Sequence, residues 1–294
     1  MKLSIPAGRY VVAVSGGVDS MVLLDLLAKQ PDLQLTIAHF DHGIREDSLE
    51  DKRLVQQMAH HHGLSFVYNR GELGAGASEA NARKARYDFL QAVRQAAKAQ
   101  AIITAHHQDD MLETAVINML RGTGSRGLSS LKSQGDMVRP LLLYSKQQIR
   151  TYAGTHGLIW HEDSTNQDEK YLRNYVRRNI LNKFSDVQRQ QLLIHLNTAR
   201  ELNYELETLL VNQLHIQPAL HKLDRQWFIH LPHAVAREVM ASWLRRQDVS
   251  YNTKMLERLL VAAKTYQPRK RADISNGLVM EVSQRYLALT RPDR

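Results

Sequence analysis

An apolar run, Tyr10 to Val14, ends directly on Ser15-Gly16-Gly17-Val18-Asp19-Ser20, and apolar residues at helical spacing resume at Met21. This junction restricts the fold more than any other part of the sequence. A short apolar run bounded by a turn reads as a buried strand. Two adjacent glycines let the backbone turn tightly and come close to a ligand, and a helix starting just beyond presents its unpaired N–H groups to an anion. Phosphate is the natural occupant. With no lysine after the glycines this is not a Walker A loop, so it fits a pyrophosphate held by backbone and hydroxyl donors better than γ-phosphate transfer. Asp19 is the candidate for a magnesium ion, which takes oxygen ligands and bridges to phosphate. Two glycines alone would be no more than a tight turn with a serine cap; the six residues together, placed after a strand, favour the phosphate reading.

The same alternation continues to about residue 145. Apolar runs at Leu35 to Phe40, Leu64 to Tyr68, Ala101 to Ala105 and Val138 to Leu142 predict further strands, the last interrupted by Pro140. Between them Met21 to Ala28, Leu49 to His61, Ser78 to Lys98 and Met111 to Leu120 carry apolar residues at helical spacing, with Gly63 and Gly122 at the expected stops. The pattern predicts a doubly wound α/β domain on a mostly parallel five-stranded sheet. Beyond Ser145 strand signals thin out; Lys146 to Thr155 and Tyr171 to Phe184 read as helices. The texture changes near Lys183 to Gln188, so the expected division is a catalytic domain over 1–185 and a mainly helical domain over 186–294, ending in a hairpin or edge strand at Gly277 to Thr290.

Ligands of open α/β sheets bind beyond the carboxyl ends of the strands, which here are unusually polar. The second strand runs into His39-Phe40-Asp41-His42-Gly43 and the fourth into His106-His107-Gln108-Asp109-Asp110. His106, Asp110 and Glu113 follow at i, i+4 and i+7, so a helix starting near Asp109 brings Asp110 and Glu113 onto one face. Asp109 reads more simply as an acid favouring a helix N-terminus. Arg83 and Arg86 on a long helix, and Arg173, Arg177 and Arg178 further on, are either phosphate-binding faces or ordinary basic surface. A zinc site from His39, His42, His106 and an acid is conceivable from the residue types alone.

The chain has 294 residues, a formal net charge of +9 and no cysteine. The charge favours a polyanionic partner. The missing cysteine excludes disulfides, a cysteine nucleophile, thiolate zinc sites and iron–sulfur ligation. No window approaches the ~18 apolar residues of a membrane span and no signal-peptide flanks surround the first strand. A cytoplasmic protein without membrane contact is expected, and the sequence leaves a homodimer open.

The first loop resembles the pyrophosphate loop of the N-type ATP pyrophosphatases, a superfamily with an adenine nucleotide alpha hydrolase-like fold that activates an oxygen as an adenylate. Within it the chain is similar to the tRNA(Ile)-lysidine synthetases, through His39-Phe40-Asp41-His42-Gly43-Ile44-Arg45, Glu79-Ala80-Asn81-Ala82-Arg83-Lys84-Ala85-Arg86-Tyr87 and His106-His107-Gln108-Asp109-Asp110-Met111-Leu112-Glu113-Thr114. Arg121-Gly122-Thr123-Gly124, Arg139-Pro140-Leu141, Glu162-Asp163-Ser164-Thr165-Asn166 and Arg173-Asn174 with Arg177 extend the likeness to about residue 180. The resemblance implies that ATP and Mg2+ are used, that Ser15 to Ser20, His39 and Asp41 hold the nucleotide, and that Asp19 holds the metal. It implies that Arg86 contacts phosphate or the reacting centre, that His106, Asp110 and Glu113 hold free L-lysine, and that Arg173 and Arg177 belong to the substrate site. The substrate implied is the wobble cytidine of the minor isoleucine tRNA with a CAU anticodon. The family's use of magnesium argues against the zinc reading. Thiolation on the same scaffold is disfavoured by the lack of cysteine, ammonia-using relatives leave Arg83 to Tyr87 and Arg121 to Gly124 unexplained, and a non-catalytic nucleotide or RNA sensor has no use for so complete a rim. Longer family members carry a further C-terminal domain, which is not expected in a sequence of this length.

Overall fold

The computed structural model describes residues 1–43, 48–71, 79–123, 125–128, 131, 133, 135–162, 172–213, 216–217, 222–275 and 277–291. They form two compact units, Met1–Arg200 and Glu201–Arg294.

In the first unit, strands β1 (Gly8–Ala13), β2 (Leu33–Asp41), β3 (Ser65–Arg70), β4 (Ala101–Ile103) and β5 (Met137–Val138) form one sheet in the order β3-β2-β1-β4-β5. Every neighbouring pair is parallel. Helices α1 (Val18–Ala28), α2 (Ser48–His61), α3 (Glu79–Ala96), α4 (Gln108–Leu120), α5 (Ser125–Leu128), α6 (Lys146–Thr155) and α7 (Leu172–Tyr175) follow in chain order. The middles of the central strands β1, β2 and β4 are mostly apolar because both faces are covered there, whereas β3 at the edge carries exposed Ser65, Asn69 and Arg70. Successive residues point to opposite faces, so Val12, Ile37 and Ile103 join one core with α1, α2 and α6, while Val11, Ala38 and Ile102 join another with Leu90 and Val93 of α3. The chain winds outward from β1 to β3, then crosses back to lay β4 on the other side of β1. The switch point is therefore the gap beyond the carboxyl ends of β1 and β4.

The expected sheet is present, with local departures that have physical causes. The fifth strand stops at Val138 and the chain turns into a 3-10 helix at Pro140–Leu143, because proline cannot donate to the ladder. Helix α4 starts at Gln108, before the apolar pattern begins at Met111, since its first turn is polar and serves the site. The helix expected over Tyr171 to Phe184 is broken into α7, a π-helical turn at Val176–Ile180 and a 3-10 turn at Leu181–Lys183, with Tyr171 outside the described residues. Ser78, Ile44, Arg45, Gly124 and the stretch Asp163 to Asn166 also lie outside them.

Helix α8 (Asp186–Gln213) runs through the division at Arg200. The sequence places the boundary some way earlier, near Lys183 to Gln188, but Leu193 and Leu196 of α8 are buried against Met111, Leu112 and Ala115 of α4. The second unit contains α9 (Arg225–Ile229), α10 (His233–Arg246) and α11 (Thr253–Thr265), packed on a sheet of β6 (Ile216–Gln217), β7 (Lys222–Asp224), β8 (Arg271–Ser275), β9 (Leu278–Val282) and β10 (Tyr286–Thr290). Helices make up most of its regular structure. The hairpin read at Gly277 to Thr290 is β9 and β10, which lie inside an antiparallel sheet ordered β6-β7-β10-β9-β8. Trp243, Phe228 and Met280 fill its core. No helix among the described residues is long and apolar enough to cross a membrane.

Candidate active site

The loop between β1 and α1 is folded on itself. The Ser15 N–H donates to Ser20 Oγ at 3.1 Å, the two serine hydroxyls lie 3.2 Å apart, and Ser20 Oγ donates to the Gly17 carbonyl at 2.9 Å. Gly16 has φ +94°, a left-handed value that L side chains rarely adopt, and an added Cβ would lie 3.2 Å from the Asp51 side chain. From the other side His161 donates its backbone N–H to Gly16 O at 3.1 Å, and its Nδ1 sits 2.7 Å from Asp51 Oδ1. Gly17 is the N-cap of α1 and gives it no side-chain cap, although the Ser20 N–H donates to the Gly17 carbonyl at 3.1 Å, so the start of the helix is left to an incoming acceptor. Val18 and Ser20 are buried there.

At the end of β2, His39 is buried with Nδ1 2.8 Å from the Val14 carbonyl, and burial pushes its pKa down, which keeps the ring neutral. Asp41 lines the rim with both oxygens already engaged. Its oxygens accept from Gly43 N–H at 2.8 Å, Ser48 Oγ at 2.8 Å and Tyr68 Oη at 3.2 Å. Burial alone would raise its pKa; these hydrogen bonds and the nearby Arg70 charge outweigh it, so it stays ionised. At the end of β4, His106 Nδ1 is 2.8 Å from Thr104 Oγ1. Burial, helped by the charges of Arg139, Arg86 and Arg83 and opposed by Asp110, lowers its pKa to about 4. The imidazole is neutral at pH 7.

His107 next door behaves in the opposite way. Its Nε2 is 3.6 Å from Asp19 Oδ2 and 3.5 Å from Asp110 Oδ2, and its Nδ1 is 3.6 Å from Asp109 Oδ2. Burial disfavours its charge, but the carboxylates of Asp109, Asp19 and Asp110 outweigh that and raise its pKa to about 10. The three carboxylates around the buried ring therefore favour its protonated form. Asp109 also accepts from the Lys146 backbone N–H at 2.8 Å and from Arg189 Nη1 at 3.1 Å. Burial opposes its ionisation, yet these partners and His107 hold its pKa near about 2. Asp109 thus does more than favour a helix N-terminus.

Asp19 is bound on both oxygens by Lys146 Nζ, at 2.7 and 2.6 Å. Its pKa is lowered, because His107 and Lys146 outweigh the burial that would raise it. Asp19 offers the oxygen donors a magnesium ion needs. Among the described residues no three His, Asp or Glu side chains are arranged to hold a metal alone, so an ion here would be shared between Asp19 and phosphate oxygens, the usual way Mg2+ is held beside nucleotides.

Glu113 differs from its expected place. It is fully buried, does not line the cavity, and accepts from Arg177 Nε at 2.6 Å and Nη2 at 3.2 Å. Burial raises its pKa against the pull of Arg177 and Arg173. Arg173 lies 3.8 Å from Asp110 and 3.9 Å from Glu113 and reaches the cavity wall. Arg86 also lines the wall. Burial, with the charges of Arg83 and Arg173, lowers its pKa against the contribution of Tyr87, and no carboxylate among the described residues pairs with it. A half-buried guanidinium with no acid against it among the described residues is a ready anion contact.

One cavity of about 500 Å3 joins these groups at the switch point. Ser15, Gly17, Asp19, Ser20, His39, Asp41, Arg86, His106, Asp110 and Arg173 line it, while Gly16 and Val18 support the loop from behind and Glu113 and Arg177 lie outside. Sequence reasoning misses Lys146, His107 and Asp51. The available signal for Lys146 and Asp51 is their place in the first turn of a helix that follows a strand of the sheet.

An open parallel sheet with a glycine turn and a polar cavity at its switch point places the first unit among the nucleotide-binding type of α/β domains. The family model described as the PP-loop domain matches residues 2–184, and the chain belongs to that family. It is 40% identical over 184 residues to a tRNA(Ile)-lysidine synthase of Exiguobacterium sibiricum, a match covering 61% of this chain and 44% of that protein. It is 37% identical over 186 residues to a tRNA(Ile)-lysidine synthase of Enterococcus faecalis, covering 60% and 40%. The match thus spans less than half of either relative. Among solved structures, the U34-tRNA thiolase of Methanococcus maripaludis, determined with its [4Fe-4S] cluster, superposes with a TM-score of 0.55 at 17% identity, covering 68% of this chain and 73% of that one. At that identity the likeness is one of fold.

Proposed function

We propose that this chain is a tRNA(Ile)-lysidine synthetase, a cytoplasmic ligase that uses ATP to join L-lysine to carbon 2 of the wobble cytidine in the isoleucine tRNA with a CAU anticodon. ATP adenylates the carbonyl oxygen at carbon 2 and pyrophosphate leaves; the lysine ε-amine then attacks carbon 2, losing a proton, and AMP leaves with the oxygen. The observation that carries this reading is one cavity in which the loop leading into α1 lies with the Arg86 guanidinium, which has no carboxylate partner among the described residues, and with the Asp110 carboxylate. One polar wall suits polyphosphate and the other suits an ammonium ion.

The roles follow from the surroundings. First-turn N–H groups of α1 and the Ser15 and Ser20 hydroxyls hold the pyrophosphate, and Arg86 offsets charge developing on the leaving group. Asp19 would hold a magnesium ion, which would supply further positive charge to the phosphates. Asp110 takes the lysine ammonium beside the neutral His106, and Glu113 acts from outside the cavity by fixing Arg177 and Arg173. A wobble base is unpaired, so it can be pocketed without opening a duplex. The basic second unit holds the tRNA backbone by phosphate contacts. Thiolation is the chemistry of the solved structural neighbour, but this chain has no cysteine to carry sulfur or ligate a cluster.

Incorporation of radiolabelled lysine into total tRNA tests the reading. Label should enter tRNA only with ATP present, and Asp19→Ala should abolish it while circular dichroism stays unchanged. Incorporation without ATP, or full activity of Asp19→Ala at saturating magnesium, contradicts the assignment.

A further inference from the structure

Lys146 is the first residue of α6, where the helix dipole disfavours a cation. Something other than local helix electrostatics must account for its charge. Its backbone is fixed on both sides: its N–H is bonded to Asp109 Oδ2 at 2.8 Å, and the preceding Ser145 is locked into a reciprocal cap with Gln148. Its side chain, by contrast, is a flexible four-carbon stem that is 35% exposed and ends on the two oxygens of Asp19.

Asp19 cannot serve a metal and this ammonium with the same lone pairs. A magnesium ion held by Asp19 would compete with Nζ for the two oxygens that Lys146 now occupies, and an incoming phosphate would offer Nζ another anion. We propose that Lys146 is a nucleotide-phosphate ligand of this site, kept on Asp19 while the cavity is empty and passed to the polyphosphate when ATP binds. The resting contact keeps Asp19 neutralised and the loop charge-balanced; the bound contact adds a mobile cation where the leaving pyrophosphate gathers charge. The inference rests on the reading of the cavity as an ATP site.

An ATP acyl phosphate tests it on the wild-type protein. A lysine Nζ lying against the phosphates attacks the acyl carbon in its neutral amine form, an amide bond forms with loss of a proton to solvent, the mixed anhydride breaks and ATP leaves as the anion. Peptide mass spectrometry should find Lys146 acylated, and excess ATP with Mg2+ should prevent it. In calorimetry Lys146→Met should weaken binding of ATP with Mg2+ by about ten- to a hundredfold, the scale of one charged hydrogen bond, and Lys146→Arg should recover most of it. If ATP binds in calorimetry and protects some other lysine while Lys146 stays unmodified, the proposal is overturned and the ATP site stands. If wild-type protein shows neither ATP binding nor ATP-sensitive acylation, the ATP site itself is wrong and the proposal falls with it.

Discussion

Glu113 accepts two hydrogen bonds from Arg177, at 2.6 and 3.2 Å, with the carboxylate wholly buried and the guanidinium side chain 40% exposed. The pair joins α4, which is capped by His107 and carries Asp110 to the cavity, to the π-helical turn that follows Arg173. Its importance is geometric, since neither partner lines the cavity.

Arg177→Met leaves that carboxylate buried with only Arg173 nearby, so it should lower stability by about 3 kcal/mol, the low end of the range for breaking a buried pair. Glu113→Gln keeps an acceptor for Arg177 and removes the buried charge, and should cost less. Urea denaturation of the two variants compares them directly, and a larger loss for Glu113→Gln contradicts the pairing as described.

His107 makes stability fall with rising pH. Its folded pKa, about 10, lies above the ordinary histidine value of 6.5, so its contribution is complete below about pH 6.5 and is lost as pH climbs toward 10. His107→Gln should flatten that decline in urea titrations between pH 7 and 10. Asp109 acts at the other end: with its pKa held near about 2, its contribution is present above about pH 4 and lost on acidification toward 2. A His107→Gln profile parallel to wild type in the alkaline range removes the buried imidazolium.

The sheet and the three polar strand ends are legible in the sequence because they rest on short-range signals: apolar runs of strand length, glycines at Gly16 and Gly17, and histidines and acids directly after β2 and β4. Lys146 and His107 are not. Lys146 lies 127 positions from Asp19, and nothing near it in the sequence announces an acid waiting across the switch point. The opposite charge states of His106 and His107 are equally hidden, since they depend on which ring meets arginines and which meets three carboxylates. Glu113 falls on the right helix at the right spacing, but the spacing does not reveal that Arg177 claims it. Pro140 marks the early end of the fifth strand, whereas the boundary after α8 begins is masked by a helix that supplies Leu193 and Leu196 to the first unit's core.

Gly16→Ala should cost about 1–2 kcal/mol from its left-handed backbone alone, and the new methyl group must also push Asp51 away from His161. Thermal denaturation should show the loss, and calorimetry should show weaker ATP binding because the loop can no longer hold its shape. Unchanged values for both mean that the loop tolerates a side chain at φ +94°.

Arg269, Lys270 and Arg271 lie at the start of β8 and are all exposed, with Arg269 N–H bonded to the Val282 carbonyl at 2.7 Å. Replacing all three by alanine should weaken tRNA binding and make its salt dependence shallower by roughly one to three units of log–log slope, with ATP binding in the absence of tRNA unaffected. An unchanged slope in filter binding takes this patch out of the tRNA footprint and moves attention to Arg178.

Lysidine formation itself can be read by mass. After incubation of the protein with ATP, Mg2+, L-lysine and an isoleucine tRNA carrying a CAU anticodon, nuclease digestion and mass spectrometry should find the wobble cytidine heavier by one lysine less one water, and only when ATP and lysine are both supplied. A wobble cytidine of unchanged mass with active wild-type protein, or one heavier by the replacement of oxygen with sulfur, contradicts the account.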